Sequence, residues 1–176
     1  KLIRVKQWVK NLFVFAPLVF SLQLFGVTPL IETIAVFFAF SLVASSIYAL
    51  NDIVDAERDR YHPKKKDRPL PLGLLSLPEA ALIGLLCLGG GFLLGIWLNL
   101  SVVAILAVYV VMNLFYSLWG KNIIILDTML VAMGFVLRVL AGAYAISVPS
   151  SSWMLVATFF LALLLGLGKR YNELLV

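Results

Sequence analysis

Long apolar runs separated by short polar connections make up most of this chain. Runs close to the length of a membrane span fall at six places, which are residues 11–26, 30–50, 77–98, 101–119, 123–146 and 152–168. A helix needs about 20 mostly apolar residues to cross the hydrocarbon core of a bilayer. The pattern therefore predicts an all-α fold, a polytopic transmembrane helix bundle with about six spans, in a single domain over residues 1–176.

The residues that lead into the first run have an amphipathic pattern. Arg4, Lys6 and Lys10 are interleaved with an apolar set, namely Leu2, Ile3, Val5 and Trp8. Interfacial segments turn such cations toward water and such apolar side chains toward lipid. We therefore expect residues 1–10 to lie in the membrane interface, ahead of a first span that is short and contains Pro17.

Composition favours a membrane protein over a water-soluble one. Of the 176 residues, 62% are hydrophobic and 13% are charged, whereas soluble domains carry about 25% charged residues. The net charge of +5 does not indicate a nucleic-acid partner, because the basic residues flank the predicted spans. Cys87 is the only cysteine, which excludes a disulfide within the chain.

The basic residues are distributed unevenly between the two ends of the predicted spans. With six spans, 13 of the 14 Lys and Arg residues fall on one face of the membrane. The connections near 26–29, 99–101 and 147–151, on the opposite face, carry none. Cytoplasmic loops are enriched in Lys and Arg. We therefore expect a multi-pass protein of the cell (inner) membrane whose basic face, with the active site, is cytoplasmic.

Arg138 is the one basic residue inside a predicted span. Asp127 precedes it by eleven residues, and Gly134 and Gly142 lie along roughly the same side of the helix. Charges within spans usually face the bundle interior or a wet cavity, and small residues permit close helix packing. This stripe indicates an inward face on which Arg138 lines a site. The alternative is a structural buried ion pair with a neighbouring helix.

An acidic cluster begins where the second span ends. Asn51, Asp55 and Asp59 are spaced by four residues, which places them on one face if the second helix continues to about Tyr61. Carboxylates at this spacing repel one another. Mg²⁺ fits best as the compensating charge, since it commonly binds one or two carboxylates together with substrate phosphates. The expected ligands are Asn51, Asp52, Asp55 and Asp59.

A basic loop at residues 62–73 follows the acidic cluster and supplies candidate phosphate ligands, Lys65 and Arg68. Arg binds phosphate through a bidentate fork, and Lys binds it as a mobile point charge. His62 is interpreted as a loop or helix-cap residue. The alternative is a solvated helix end, in which the acids are balanced by Arg58, Arg60 and the lysines of the loop.

Further polar residues gather on the same face, at the ends of the other predicted spans. Together they would neutralise a polyanionic ligand. The candidate substrate-binding residues are Lys10, Asn51, Lys65, Arg68, Tyr116, Lys121, Arg138, Lys169 and Arg170.

The acidic cluster and the loop after it resemble a motif of a known family. The pattern Asn51-Asp52-x-x-Asp55-x-x-x-Asp59, followed by Arg68-Pro69-Leu70-Pro71-x-Gly73, is similar to the first Asp-rich motif of the UbiA superfamily of membrane prenyltransferases. The resemblance implies a helical bundle, usually of about nine spans, that binds Mg²⁺-diphosphate at two Asp-rich motifs. No second motif follows the sixth span, so we expect residues 1–176 to lack the C-terminal helices of such a member.

Blocks along the whole chain are similar to one branch of that superfamily, the decaprenyl-phosphate phosphoribosyltransferases. They are Lys6-Gln7-Trp8-Val9-Lys10-Asn11, His62-Pro63-x-Lys65-x-x-Arg68-Pro69, Leu137-Arg138-x-x-Ala141-Gly142 and Gly168-Lys169-Arg170-x-x-Glu173-Leu174. The resemblance implies transfer of the phosphoribosyl group of phosphoribosyl diphosphate to a polyprenyl phosphate lipid, with release of diphosphate, in cell-wall biosynthesis.

The hypothesis that follows gives each group a role. Asp52, Asp55 and Asp59 are the expected catalytic residues, because with Asn51 they hold Mg²⁺ against the leaving diphosphate. The groups expected to neutralise its remaining charge are Lys10, Lys65 and Arg68. Those expected to bind the acceptor phosphate or the ribose phosphate are Arg138, Lys169 and Arg170.

Two other functions remain open on the sequence. A conventional UbiA-type prenyltransferase would use the same first motif to ionise a prenyl diphosphate and alkylate an aromatic or lipid acceptor. The cationic groups favour the phosphoribosyl donor, which carries an additional phosphate. A transporter or scaffold subunit would account for Arg138 in mid-membrane, but the sequence has no visible inverted repeat.

Overall fold

The computed structural model of the protein describes residues 2–61, 67–118 and 124–174. Within these ranges every regular element is a helix. A 3₁₀ helix, Val5–Phe15, leads into α1 (Ala16–Phe20), α2 (Val27–Val54), α3 (Ala56–Arg60), α4 (Leu77–Leu98), α5 (Leu100–Leu118), α6 (Ile124–Ala145) and α7 (Ser152–Leu174). The predicted all-α fold is confirmed.

Four of the described helices, α2, α4, α5 and α6, are long and apolar enough to cross a membrane. The apolar part of α7, Ser152–Gly168, is shorter. These five helices coincide with the second to sixth predicted spans, apart from a few residues at their ends. The chain is therefore an integral membrane protein with the helical bundle that the hydropathy predicts.

The first predicted span is built differently from the others. It consists of the 3₁₀ helix and the short α1, and it ends where Leu22 adopts a positive φ of 58°. Pro17 lies in the first turn of α1 and cannot donate a backbone hydrogen bond. Because a 3₁₀ helix rises about 2.0 Å per residue against about 1.5 Å for an α-helix, this segment covers roughly 30 Å. That length is close to the thickness of the hydrocarbon core.

Leu2 and Arg4 are packed against the bundle, so the expectation that Leu2 contacts lipid and that Arg4 points to water was wrong. Leu2 is buried against Ala49, Leu70 and Ala80. The guanidinium of Arg4, expected in water, pairs with a carboxylate of α2. The physical reason is that α2 and the loop after α3 offer this segment an apolar site and a buried opposite charge.

The continuous helix predicted to reach Tyr61 is interrupted at one residue. Asp55 has φ −90° and ψ 0°, and it separates α2 from the single turn and a half of α3. The hydrogen bonds of the helix persist across the bend, since the Asp55 N–H donates to the Asn51 carbonyl and the Asp59 N–H to the Asp55 carbonyl. The acidic segment therefore continues from α2 into α3 with one non-helical residue between them.

The core is centred on α2, which contacts the 3₁₀ helix, α4, α5 and α6. Its closest approach is to α4, where a Cβ on Gly91 would lie 2.6 Å from Cγ2 of Val43 and 2.8 Å from the carbonyl oxygen of Ala39. Close packing of small residues is a main source of helix association in lipid. This packing holds the middle of α2 against α4.

Candidate functional site

Two carboxylates at the end of α2 and in α3 are almost completely buried. Asp52 is 3% exposed and Asp59 is 2% exposed. Nη1 of Arg68 donates to Oδ1 of Asp52 over 3.0 Å and to Oδ2 of Asp59 over 2.6 Å. A buried carboxylate is tolerated when it is paired and hydrogen-bonded, so the ion pairs with Arg68 offset part of the cost of burying both acids.

Arg4 supplies a second positive charge to the same cluster. Its Nη2 donates to Oδ1 of Asp52 over 2.5 Å, and its guanidinium lies 4.9 Å from the ring centroid of Tyr48. One carboxylate oxygen of Asp52 thus accepts from two arginines. Sequence reasoning missed the role of Arg4, because 48 residues separate it from Asp52 and no local spacing connects them.

Arg68 pairs with Asp52 and Asp59, whereas the four-residue spacing selected Asn51, Asp55 and Asp59. At 3.6 residues per turn, the seven residues from Asp52 to Asp59 fall about 20° short of two full turns, whereas the eight from Asn51 to Asp59 overshoot by about 80°. Asn51 instead accepts a hydrogen bond of 2.9 Å from the Ser117 hydroxyl of α5. Asp55 is partly buried at the bend. The structure therefore joins Asp52 to Asp59 and directs Asn51 toward α5.

A cavity of about 160 Å³, lined by both polar and apolar residues, lies between α2, α5, α6 and the 3₁₀ helix. Four predicted substrate-binding residues line it, namely Lys10, Asn51, Tyr116 and Arg138. Sequence reasoning missed three further polar lining residues, Tyr48, Tyr109 and Asn113. A signal was present for two of them. Tyr48 precedes Asn51 by three residues and Asn113 precedes Tyr116 by three, and this spacing places side chains on the same helix face.

Arg138 closes the deep end of this cavity and is 5% exposed. Its Nε donates to Oδ1 of Asn11 (2.7 Å), its Nη1 to the Gly134 carbonyl (2.6 Å) and its Nη2 to the Tyr109 hydroxyl (3.0 Å). The guanidinium also lies 5.4 Å or less from the ring centroids of Phe40, Tyr109 and Phe135. Within the described part of the chain its partners are neutral, so its positive charge is held in the cavity wall without a buried counter-ion there.

The predicted small-residue face of α6 is present where the helix meets the 3₁₀ helix. A Cβ on Gly142 would collide with the backbone carbonyl of Val14, and one on Gly134 would lie 3.3 Å from Nη1 of Arg138. Asp127, on the same helix, is 5% exposed. The close backbone contact at Gly142 holds the 3₁₀ helix against α6, and Asn11 thereby reaches Arg138.

The donor set at the end of α2 fits a divalent cation that shares its coordination with substrate. Among the described residues, no three His, Cys, Asp or Glu side chains form a ready-made metal site. Mg²⁺ is commonly bound by one or two carboxylates, with phosphates and waters completing the octahedron. Asp52 and Asp59 provide two carboxylates, and both pair with Arg68. Two carboxylates are enough for such a shared site.

Some predicted residues cannot be placed. Lys65, Lys121 and His62 lie outside the described residues, as do the side chains of Lys169 and Arg170.

A second cavity, of about 890 Å³, lies at the opposite end of the bundle and is lined mainly by apolar residues such as Phe13, Phe20 and Trp153. None of the candidate site residues that the structure describes lines this second cavity.

Comparison with solved structures places this arrangement in a known fold. A UbiA homolog from Archaeoglobus fulgidus, solved bound to DMAPP and Mg²⁺, superposes with a TM-score of 0.76 at 22% sequence identity and covers 92% of this chain and 59% of that chain. A structure of digeranylgeranylglyceryl phosphate synthase gives a TM-score of 0.72 at 22% identity, covering 96% and 58%. The likeness shows a shared helical fold.

Sequence comparison gives closer relatives. A decaprenyl-phosphate phosphoribosyltransferase from Mycolicibacterium smegmatis is 38% identical over 99% of this chain and 56% of its own length. One from Corynebacterium glutamicum is 35% identical over 100% of this chain and 54% of its own length. The chain thus spans about half the length of these curated relatives. The model of the UbiA prenyltransferase family matches residues 12–171, and the chain therefore belongs to that family.

Proposed function

We propose that the chain forms the donor site of a Mg²⁺-dependent membrane transferase. The enzyme moves the phosphoribosyl group of phosphoribosyl diphosphate to a polyprenyl phosphate lipid and releases diphosphate. The observation that carries the proposal is a single cavity with Lys10 at its wall, Arg138 at its deep end and Asn51 next to the buried Asp52. The names of the two relatives above support it.

The charges around this cavity suit a donor that carries both a diphosphate and a further phosphate. Lys10 and Arg138 line the cavity. Arg4 and Arg68 pair with Asp52, the neighbour in sequence of the lining residue Asn51. Phosphate groups are bound most strongly by charge-assisted hydrogen bonds from such residues. We assign four further cations to the proposed site, whose side chains lie outside the described residues. They are Lys65, Lys121, Lys169 and Arg170.

In the proposed reaction the bond between the anomeric carbon and the diphosphate oxygen breaks, and the diphosphate leaves with the electron pair. An oxygen of the lipid phosphate then forms the new bond to that carbon. Asp52 and Asp59, with Asn51 and Asp55 beside them, bind the divalent ion, which neutralises charge on the leaving diphosphate when bound. Arg68, Lys10 and Lys65 bind its remaining oxygens, so that the protein acts by positioning and electrostatic stabilisation.

Arg138 is assigned to a second anion at the deep end of the cavity, the acceptor phosphate or the ribose phosphate. Lys169 and Arg170 are assigned to the same anion. Three neutral partners hold the Arg138 guanidinium, so two of its five N–H donors are left for a ligand. A preorganised cation of this kind costs no rearrangement when the anion binds.

A binding measurement on the purified chain in detergent tests the donor assignment. We expect phosphoribosyl diphosphate to bind in the presence of Mg²⁺, as measured by calorimetry, and to bind much more weakly in EDTA. Asp59→Asn should abolish the Mg²⁺-dependent part, because it removes one of the two paired carboxylates. Glu57→Gln is the matched control, since Glu57 is an exposed acid of the same short helix.

The same measurement with a prenyl diphosphate separates the two donors. Tight binding of the prenyl diphosphate together with no binding of phosphoribosyl diphosphate would assign the site to a prenyltransferase and contradict the proposal. If Asp59→Asn and Glu57→Gln keep the same Mg²⁺-dependent binding of phosphoribosyl diphosphate, the assignment of the metal to Asp59 is wrong.

A further inference from the structure

The most unusual contact in the described structure is the sharing of one Asp52 oxygen by two arginines. Arg4 reaches it from the N-terminal segment and Arg68 from the loop after α3, at 2.5 and 3.0 Å. Asp52 itself is 3% exposed. An oxygen of a carboxylate has two lone-pair sites, so both positions on this oxygen are already occupied by guanidinium donors.

A divalent cation on Asp52 would lie next to both guanidinium groups. Charges a few ångströms apart interact strongly where water is largely excluded. The metal and the two arginines are all positive, so the bound ion and the full set of arginine contacts oppose each other. An ion that binds through this oxygen would therefore have to displace at least one of the two arginines.

Arg4 is the less firmly held of the two. Arg68 binds both Asp52 and Asp59, whereas the structure gives Arg4 one carboxylate and a ring contact with Tyr48. The two side chains are similarly exposed, 30% for Arg4 and 26% for Arg68. The Arg4 backbone has φ 45° and ψ 52°, in the left-handed region that residues other than glycine seldom adopt. Withdrawal of Arg4 therefore breaks fewer contacts and leaves Arg68 to hold the acids together.

The backbone around Arg4 is held independently of its side chain. Leu2 is buried in the apolar cluster with Leu70 and Ala80, and the Ile3 carbonyl accepts a hydrogen bond of 2.8 Å from the Ser45 hydroxyl. Trp8 Nε1 donates to the same hydroxyl over 3.1 Å. The Arg4 guanidinium is therefore able to leave Asp52 while the segment stays in place.

We propose that Arg4 is a positioning residue that serves as the built-in counter-cation of Asp52 and is displaced when a divalent ion binds. The inference rests on the proposed function, because it takes Asp52 and Asp59 as the carboxylates of the metal site. It adds a residue of the N-terminal segment to that site, in direct competition with the metal. Arg4 keeps the buried carboxylate paired and oriented while the metal is absent.

Mn²⁺ binding, measured by electron paramagnetic resonance on the full chain in detergent, tests this competition. Arg4→Gln should tighten Mn²⁺ binding by about tenfold, within the range usual for coupling between two sites. Arg4→Lys should bind Mn²⁺ close to the wild-type affinity, because the positive charge is kept. Lys6→Gln should also leave the affinity unchanged, since it removes an exposed charge of the same segment.

Thermal unfolding of the same variants provides a second readout. In EDTA, Arg4→Gln should melt a few degrees below the wild type, because Asp52 has lost one of its partners. In saturating Mn²⁺ this difference should shrink, since an ion that binds the variant more tightly stabilises it more. A residue with only a structural role would lower the melting temperature equally under both conditions.

The possible outcomes separate the inference from the proposed function. In one outcome Asp59→Asn weakens Mn²⁺ binding, but Arg4→Gln binds Mn²⁺ no more tightly than the wild type does. The metal site then stands, and the inference that Arg4 is a displaceable counter-cation is wrong. If the wild type shows no Mn²⁺ binding that depends on Asp59, both the metal site and this inference are overturned.

Discussion

At the scale of single residues, buried charges and their partners define the candidate site. The sequence brought forward Lys10, Asn51, Tyr116 and Arg138 as candidates, because each is a polar residue inside or at the end of an apolar run. The structure places all four in the wall of one cavity. The sequence was not sufficient for Arg4. A pairing between residues 4 and 52 depends on how the N-terminal segment docks against α2, and no local pattern records that contact.

Arg138 offers a test at this scale. Lys has one nitrogen where Arg has three, so Arg138→Lys should leave some of Asn11, Gly134 and Tyr109 without a donor. A hydrogen bond to a charged group contributes about 1.5–3 kcal/mol. We expect Arg138→Lys to lower the melting temperature in detergent by several degrees, whereas Arg60→Lys, at an exposed position, should not change it. A wild-type melting temperature for Arg138→Lys would mean that these three contacts do not hold the bundle.

At the scale of helices, hydropathy predicted α2 and α4–α7 well, because each is a single apolar run with polar ends. The first span differs, because it is built from a 3₁₀ helix and a short α-helix. Hydropathy counts residues, and a 3₁₀ helix covers the membrane thickness with fewer of them. The bend at Asp55 was also unpredicted, since residues 51–61 contain no Gly or Pro to indicate it. Helix geometry places Asp52 and Asp59, seven residues apart, on nearly the same side of a helix. The prediction followed the regular four-residue spacing of Asn51, Asp55 and Asp59 instead.

The contact between the 3₁₀ helix and α6 gives a prediction for these elements. Gly142→Ala should force the two helices apart, because its Cβ would collide with the Val14 carbonyl. Overpacking of this kind costs about 1–3 kcal/mol. Gly89→Ala is the control, since a Cβ there meets nothing within 4 Å and Gly89 also lies within a helix. Thermal unfolding should show a lower melting temperature for Gly142→Ala alone, and equal values for the two variants would argue against the close packing.

At the scale of the whole molecule, Asp52 and Asp59 and their partners Arg4 and Arg68 lie at one end of the bundle, which we propose is the cytoplasmic end. In a Cys87→Ser background, Ser151→Cys and Lys6→Cys place single thiols in exposed positions at opposite ends. A membrane-impermeant maleimide added to intact bacterial cells should label Ser151→Cys, and should label Lys6→Cys only after permeabilisation. The reverse pattern would place the site outside the cell.

The central claim is that this site transfers a phosphoribosyl group. The most direct measurement supplies the protein, in its full natural length, with Mg²⁺, labelled phosphoribosyl diphosphate and a polyprenyl phosphate. A parallel reaction contains a labelled prenyl diphosphate and an aromatic acceptor. We predict a labelled lipid in the first reaction only, and its loss in Asp52→Asn. Product in the second reaction only, with the Mycolicibacterium smegmatis relative active in the first as a control, would contradict the claim and identify a prenyltransferase.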